Sequence, residues 1–419
     1  MPSGRVVVDY WEKWTGVEGA AVQRVVDRFN SSQNRIWVRR IPVADIVSKS
    51  MVAIGGGDPP DVVGLFSYNI PLFAESKAAL PLDGFGTSET RTDPESYIPS
   101  VRRLLSYDGR LWAGVSSSYS LALYYNRSMF SAAGLDPESP PRTVDELDVA
   151  ADRLLRQDAG GRIERAGFLQ NLPEWWPYFW PIMFGGPLYD PGTNRAVFTD
   201  AATVAAYEWV SGYPRRLGVE ASREFGHSYN RSFHSPQDPF ISGRTAMIIQ
   251  GPWLANFLRH YSPGLDYSAA PVPVDAGLYD PQRPRGLMEA DVLMIPRGCR
   301  HPDGAFEFIR YTQRPEIQEM IALDHCKSSP MRDVSAGFME GHSNRYVRVF
   351  DAIARSPSVQ ILPQTRVWQQ YADMTIGAFD RIWSGQKVLP VLRQVEDRAQ
   401  ALMDQSEARR RQRSAGARA

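Results

Sequence analysis

Between residues 6 and 66 a short apolar run followed by an amphipathic stretch occurs twice, and a third apolar run closes the series. Val6, Val7, Val8 and Tyr10 are the β-branched and aromatic residues of a buried strand. After them, Thr15 followed three residues later by Glu18 predicts a capping box, and Val22, Val25, Val26 and Phe29 share one helical face. Ile36, Val38 and Ile41 alternate as a second strand, and Val43, Val47, Met51 and Ile54 mark a short helix stopped at Gly55, Gly56 and Gly57. A third apolar strand covers 62–66. This βαβαβ order predicts an α/β sheet whose ligands sit at the carboxyl ends of its strands. Trp11, Glu12, Lys13, Trp14 and Thr15 then share that edge with Ser67, Tyr68 and Asn69.

Several function classes drop out. The three glycines follow a helix instead of opening one, and no Lys-Ser or Lys-Thr pair follows them, so they do not make a phosphate loop. The 47 basic and 47 acidic residues cancel, which removes the electrostatic case for a nucleic-acid partner. No apolar run approaches the roughly 18 residues of a membrane span, so a soluble protein is expected. His227, His234, His260, His301, His325 and His342 include no close ligand pair, so neither a metal nor a cofactor is expected. Cys299 and Cys326 fit either one disulfide or two buried thiols. The first four residues run straight into a strand without a charged and apolar leader, which fits a cytoplasmic protein or one whose signal peptide was replaced.

A chain of 419 residues exceeds one ordinary core, so two domains are expected. Asp108 and Gly109 read as a tight turn between short strands, the second covering 111–115. The polar run Ser116, Ser117, Ser118, Tyr119, Ser120 reads equally as a flexible turn or as a crossing between lobes. Beyond a strand at 121–125, Gly134 stops a short helix, Pro140 and Pro141 force an extended link, and Thr143 with Glu146 caps the next helix.

The block from Tyr124, Tyr125 and Asn126 through Ala133, Gly134 and Leu135 to Thr143 and Leu147 resembles the family 1 extracellular solute-binding proteins of bacterial ABC importers, carbohydrate type. Before it stand Gly57, Asp58, Pro59, Pro60, Asp61 and Leu80, Pro81, Leu82, Asp83. After it stand Gly185 and Gly186, Gly243 and Ala246, Gly251 with Trp253, Ile295 to Gly298, and Trp383 to Gly385, all in the family's order. The resemblance implies a two-lobe periplasmic-binding-protein fold, type II-like, with a sugar in the cleft between lobes joined by crossover segments. On that pattern the N-terminal lobe is 1–118 with 267–326 and the C-terminal lobe 119–266 with 327–419, of which 408–419 form a frayed tail. A periplasmic or cell-surface monomer that closes on its ligand by a hinge and docks on the transmembrane subunits of an ABC permease is implied as well.

Sugars need rings for their apolar faces and paired polar groups for their hydroxyls. The first lobe offers Trp11, Glu12, Trp14, Ser67 and Tyr68, with Ser117, Ser118 and Tyr119 at the crossing. The second offers Glu174, Trp175 and Trp176 in the densest aromatic segment, then Gln250, Gly251 and Trp253, with Trp253 the foremost stacking residue. Trp180 is as readily a core residue as a site residue. Glu289 and Asp291 lie near the return crossing, bound to hydroxyls or paired with an arginine such as Arg366, and Arg366 and Trp368 fall where relatives contribute cleft groups. The block 124–147 is also like receptors for glycerol phosphate and its diesters, but Glu289 and Asp291, with no basic cluster near the crossovers, favour a neutral sugar or an amino sugar. Glu12 and Glu289 as acid and base of a glycosidase form the alternative of another class.

Overall fold

The computed structural model describes residues 4–87, 92–173, 175–229, 233 and 235–416. The chain divides into two compact units, the first made of 1–119, 288–351 and 364–366, the second of 120–287, 352–363 and 367–419. The first crossing thus falls inside the serine-rich run. The later boundaries differ from the expected ones: the chain returns at Met288, not 267, and the segment 327–351 stays with the first unit. The strand Tyr267–Ala270 pairs with Ala122–Asn126 in the second unit, which holds it there.

The principal strands are β1 (Val6–Glu12), β2 (Ile36–Pro42), β3 (Val62–Phe66), β4 (Gly114–Ser120), β5 (Ala122–Asn126), β6 (Met247–Gln250), β7 (Tyr267–Ala270) and β8 (Gly286–Pro296). In the first unit β2, β1 and β3 lie side by side and parallel, with Val6 opposite Ile36 and Tyr10 opposite Val62. The expected helices, Gly16–Ser32 and Ile46–Gly55, connect them. Val22, Val25, Val26 and Phe29 are all buried, as their spacing requires. One detail differs: the exposed Thr15 makes no side-chain cap bond, and no capping box forms there.

β8 runs antiparallel to β3, with Asp291 opposite Phe66 and Met294 opposite Val63. That direction brings the early part of β8 to the carboxyl edge of the parallel strands. β4 pairs with β8 as well. The run 116–120 is therefore strand and not flexible turn; its serines are buried because small hydroxyl side chains fit a covered sheet, and Ser117 finds a partner there in Asp291. The preceding hairpin, Ser106–Tyr107 with Arg110–Leu111, turns at Asp108 and Gly109, both at positive φ (50° and 72°) as a tight hairpin turn demands. The second of these strands ends at Leu111, and β4 begins separately at Gly114.

In the second unit β5 is the centre of a three-stranded antiparallel sheet with β6 and β7 on either side. Tyr124 is buried against Phe240 and Tyr267, with ring centroids 6.2 and 5.9 Å away. Thr143 caps the helix Val144–Leu154 by accepting from the Glu146 amide at 3.2 Å, as its spacing predicts. The end of the chain departs from expectation: the helix Val388–Gly416 runs on through the segment expected to fray, supported by an i,i+4 pair of Arg411 with Glu407. Residues 417–419 lie outside the described residues.

Candidate functional site

The carboxyl edge of the first unit's sheet holds a buried polar cluster. β1 ends at Glu12, whose carboxylate folds back over the sheet, accepting from the Tyr10 hydroxyl, from the Lys13 amide at 2.8 Å and from the Trp14 amide at 3.2 Å. Gly64 in the neighbouring strand makes this possible, since a Cβ there would stand 2.3 Å from Glu12 Oε2. Glu12 is thus buried and engaged with protein donors. Lys13 Nζ stands 3.0 Å from Asp291 Oδ1 and 3.7 Å from Glu12 Oε1, and donates to the Leu65 carbonyl at 3.1 Å. From the far side Lys327 Nζ reaches Asp291 Oδ2 at 3.2 Å and the Ser117 hydroxyl at 2.8 Å, while that hydroxyl donates to Asp291 at 2.7 Å. Two ammoniums therefore share one carboxylate.

Burial sets the protonation pattern. It pulls the Lys13 ammonium down, but Asp291 and then Glu12 overcome it and the pKa ends raised. Burial pushes Asp291 up, yet Lys13, Lys327 and the Ser117 hydroxyl hold it well below the usual carboxylate range. Glu289, two residues earlier in β8, has no ammonium so close; burial raises it to about 8 despite the Ser67 hydroxyl that donates to its Oε1. Its Oε2 is buried with no hydrogen-bond partner, as are Ser118 Oγ and Trp14 Nε1. At neutral pH Glu289 is mostly a carboxylic acid, able to donate as well as accept.

This has a measurable consequence. A carboxyl whose folded pKa lies above its unfolded value adds no penalty below the unfolded value and an increasing one up to the folded value. Wild-type stability is expected to fall as pH rises from about 4.5 to about 8 on account of this group, and the Glu289→Gln variant is expected to lose that part of the slope in denaturant titrations across the range. Identical slopes in the two proteins would show that Glu289 ionises freely.

Rings flank the cluster. Trp14 meets Phe66 edge-on at 6.0 Å, Tyr68 stacks on Phe66 at 5.2 Å, and the Lys13 ammonium lies over Phe66 at 4.5 Å and Trp14 at 5.1 Å. Lys327 adds its charge 5.4 Å from the Tyr119 ring. Trp11 is half-buried in β1, opposite Ile41 and Val63.

In the second unit, three of the tryptophans chosen from sequence come together. Trp175 meets Trp176 edge-on at 5.3 Å and Phe233 at 5.3 Å, and Trp176 meets Trp253 at 6.2 Å. Trp175 is 37% exposed, whereas Trp253 is only 9% exposed and lies against Gly251, where a Cβ would fall 2.1 Å from its ring. The open ring surface is therefore that of Trp175 and Trp176 more than Trp253. Gln250 is buried at the end of β6; its Oε1 accepts from the Gly251 amide at 3.2 Å and its Nε2 has no partner. Glu174 lies outside the described residues.

Three expectations need correction. Arg366 does not pair with Glu289 or Asp291; its nearest carboxylate is Glu75 at 4.0 Å, with the Ser76 hydroxyl at 3.4 Å. Trp368 is a core residue, buried against Tyr178 and Tyr371, and Trp180 is likewise buried. The absence of a basic cluster is overturned by Lys13 and Lys327, both drawn to Asp291. Lys327 was missed because it lies 36 residues from Asp291 and 210 from Ser117, with no local pattern to mark it. Among the described residues no group of three or more His, Cys, Asp or Glu is placed to hold a metal ion, and no helix is long and apolar enough to cross a membrane. Cys299 and Cys326 form no disulfide.

The model of the bacterial extracellular solute-binding proteins matches residues 13–319, most of the chain. The chain belongs to this family. Among the curated relatives of this solute-binding protein, a maltotriose-binding protein of Pyrococcus abyssi (strain GE5 / Orsay) is 22% identical over 328 residues, 77% of this chain and 65% of that one, so the chain spans just under two thirds of that relative. The sn-glycerol-3-phosphate-binding periplasmic protein UgpB of Yersinia pestis bv. Antiqua (strain Antiqua) is 25% identical over 326 residues, covering 74% of this chain and 71% of its own. Among solved structures, CpMnBP1 with mannotriose bound superposes with a TM-score of 0.81 at 26% identity, covering 94% of this chain and all of that one. Lmo0181 of Listeria monocytogenes, in complex with cycloalternan, superposes at 0.78 with 18% identity, covering 96% of this chain and 99% of its own, a likeness of fold alone. This solute-binding protein has the two-lobe periplasmic-binding-protein fold.

Proposed function

We propose that this solute-binding protein is the receptor of an ABC importer and captures a neutral mono- or oligosaccharide, or an amino sugar, for delivery to a membrane permease outside the cytoplasm. The observation that carries this reading is charge balance. The ammoniums of Lys13 and Lys327 are set against the carboxylates of Asp291 and Glu12, and Glu289 is mostly protonated at neutral pH. Little positive charge is left over for a phosphate, while Glu289 Oε2, Ser118 Oγ and Trp14 Nε1 form a mixed set of donors and acceptors suited to hydroxyls. The second unit supplies the indole surface of Trp175 and Trp176 for the apolar face of a sugar ring. The relative named as a maltotriose-binding protein and the structure solved with mannotriose bound support the same reading. The function is binding without turnover: Glu12, the expected acid or base, is already held by a hydroxyl and two amides.

The relationship to UgpB makes sn-glycerol 3-phosphate the competing ligand. Calorimetry and thermal shift with mannotriose, maltotriose and sn-glycerol 3-phosphate decide between them. A true ligand at 100 times its dissociation constant adds about 2.7 kcal/mol of stability. We expect that shift with one of the trisaccharides, unchanged reducing-end content after long incubation, and a smaller radius of gyration in scattering as the family's hinge closes. A shift with the phosphate alone would overturn the sugar assignment.

A further inference from the structure

The helix Val388–Gly416 changes character along its length. Val388, Val391, Leu392, Val395, Ala399 and Met403 recur at helical spacing and are buried, so this stripe packs into the second unit. Polar bonds hold the same stretch in place. Glu396 accepts from the Phe198 and Thr199 amides at 2.6 and 2.7 Å, Gln400 from the Ala196 amide at 3.0 Å, and Glu407 from Asn194 Nδ2 at 3.4 Å. Beyond Met403 no residue of this helix whose burial is described is buried, and 408–412 are all exposed. At 1.5 Å per residue, the stretch from Ala408 to Gly416 carries the helix roughly 13 Å past Glu407.

That stretch carries Arg409, Arg410, Arg411 and Arg413 and no acidic residue. Two ordinary roles of helical arginines do not account for the group. Favourable interaction with the helix dipole falls off within the last turn, and Arg409 to Arg411 stand ahead of it. Pairing along the helix needs a carboxylate three or four residues away, and Glu407, which pairs with Arg411, is the only one so spaced from any of the four. One negative charge therefore stands against four positive. At 3.6 residues per turn, successive arginines point about 100° apart and ring the helix, so no single small ion meets them all. The stretch also has no large apolar side chain, so it has no face to bury in a partner's groove or between acyl chains.

We propose that this basic end of the helix docks on the surface of a membrane that bears anionic phospholipids, with the headgroup phosphates as its partners. A two-dimensional array of phosphates meets cations that point in several directions at once, and each guanidinium can take phosphate oxygens in a bidentate pair. A basic residue held at such a surface strengthens attachment about fivefold, and the attraction fades within a Debye length of about 8–10 Å. The chain as a whole is neutral, with 47 basic and 47 acidic residues, so attraction comes from this local excess and orients the molecule by one end. A nucleic-acid duplex also offers phosphates, but the net charge of zero disfavours it. The proposal concerns lipid contact and does not rest on the sugar reading.

The test is sedimentation of the full chain with vesicles of phosphatidylglycerol and phosphatidylcholine in equal parts, and with vesicles of phosphatidylcholine alone. Wild type is expected to sediment with the anionic vesicles at low salt, to ignore the neutral ones, and to be released at about 0.5 M salt. The triple variant Arg409→Gln, Arg410→Gln, Arg411→Gln is expected to lose about 100-fold in vesicle affinity. Its denaturation midpoint should stay close to that of wild type, because the three residues are exposed and Gln matches Arg in helix propensity. The triple variant Arg409→Lys, Arg410→Lys, Arg411→Lys keeps the charge and is expected to keep most of the binding. Equal vesicle affinity in wild type and the Gln variant overturns the proposal, as does wild type that binds neither vesicle at low salt or both equally. Preference for a DNA duplex over the anionic vesicles at the same salt assigns the arginines to nucleic acid and overturns it too.

Discussion

Replacing Asp291 with Ala is expected to destabilise the protein by about 3–5 kcal/mol, because removal of one partner from a buried ion pair leaves the other charge uncompensated. Here two charges are stranded. Lys13 is 11% exposed and Lys327 only 2%, and each stands within 3.2 Å of an Asp291 oxygen. The wild-type carboxylate has its pKa depressed by those ammoniums, so its contribution is present above the unfolded carboxylate value, about 3.9, and is lost as pH falls through the lower folded value. The gap between Asp291→Ala and wild type in urea midpoint should therefore hold at neutral pH and narrow in acid. A midpoint unchanged at neutral pH would mean that the lysines reach water once the carboxylate is gone, and that the cluster is not the buried network described.

The second large effect concerns affinity. Trp176→Ala is expected to weaken binding of the cognate sugar by about 2–4 kcal/mol, the range of a central aromatic anchor, and Trp175→Ala by less because its ring is 37% exposed and meets water on one side. Neither change should move the denaturation midpoint far, since Trp175 is exposed and Trp176 only half-buried. Trp253→Ala is different: its ring fills the space over Gly251, so loss of stability accompanies any loss of affinity. Calorimetry paired with a denaturation curve separates these cases. Equal affinity in wild type and Trp176→Ala would place the sugar on other rings.

The two lobes show unequal legibility. In the first, hydrophobic spacing located all three parallel strands and both helices, and the turn at Asp108 and Gly109, because each depends on residues within a few positions of one another. The capping box at Thr15 was the exception: Ser, Thr, Asp and Glu near a helix start have several local partners, and here the turn is instead tied by the Glu12 carboxylate three residues upstream. In the second, aromatic density pointed to Trp175 and Trp176 and the turn after β6 to Trp253, but no local spacing showed that these rings meet, and Trp368 read as a site residue although it is core. An indole is equally at home in a core and on a sugar, so residue type could not separate those two.

What the sequence determined by itself is the order of strands and helices, the family, and the sheet edge at which β1 and β3 end, beside Glu12 and Ser67. Only the tertiary structure decided the chemistry of that edge. β8 runs antiparallel to β3 and so sets Glu289 beside Ser67 and Asp291 opposite Phe66, and Lys327 arrives from 36 residues further on to share Asp291 with Lys13. Local periodicity records which face of an element is buried, but protonation and ion pairing depend on which side chains the strand register and helix packing bring within about 3 Å.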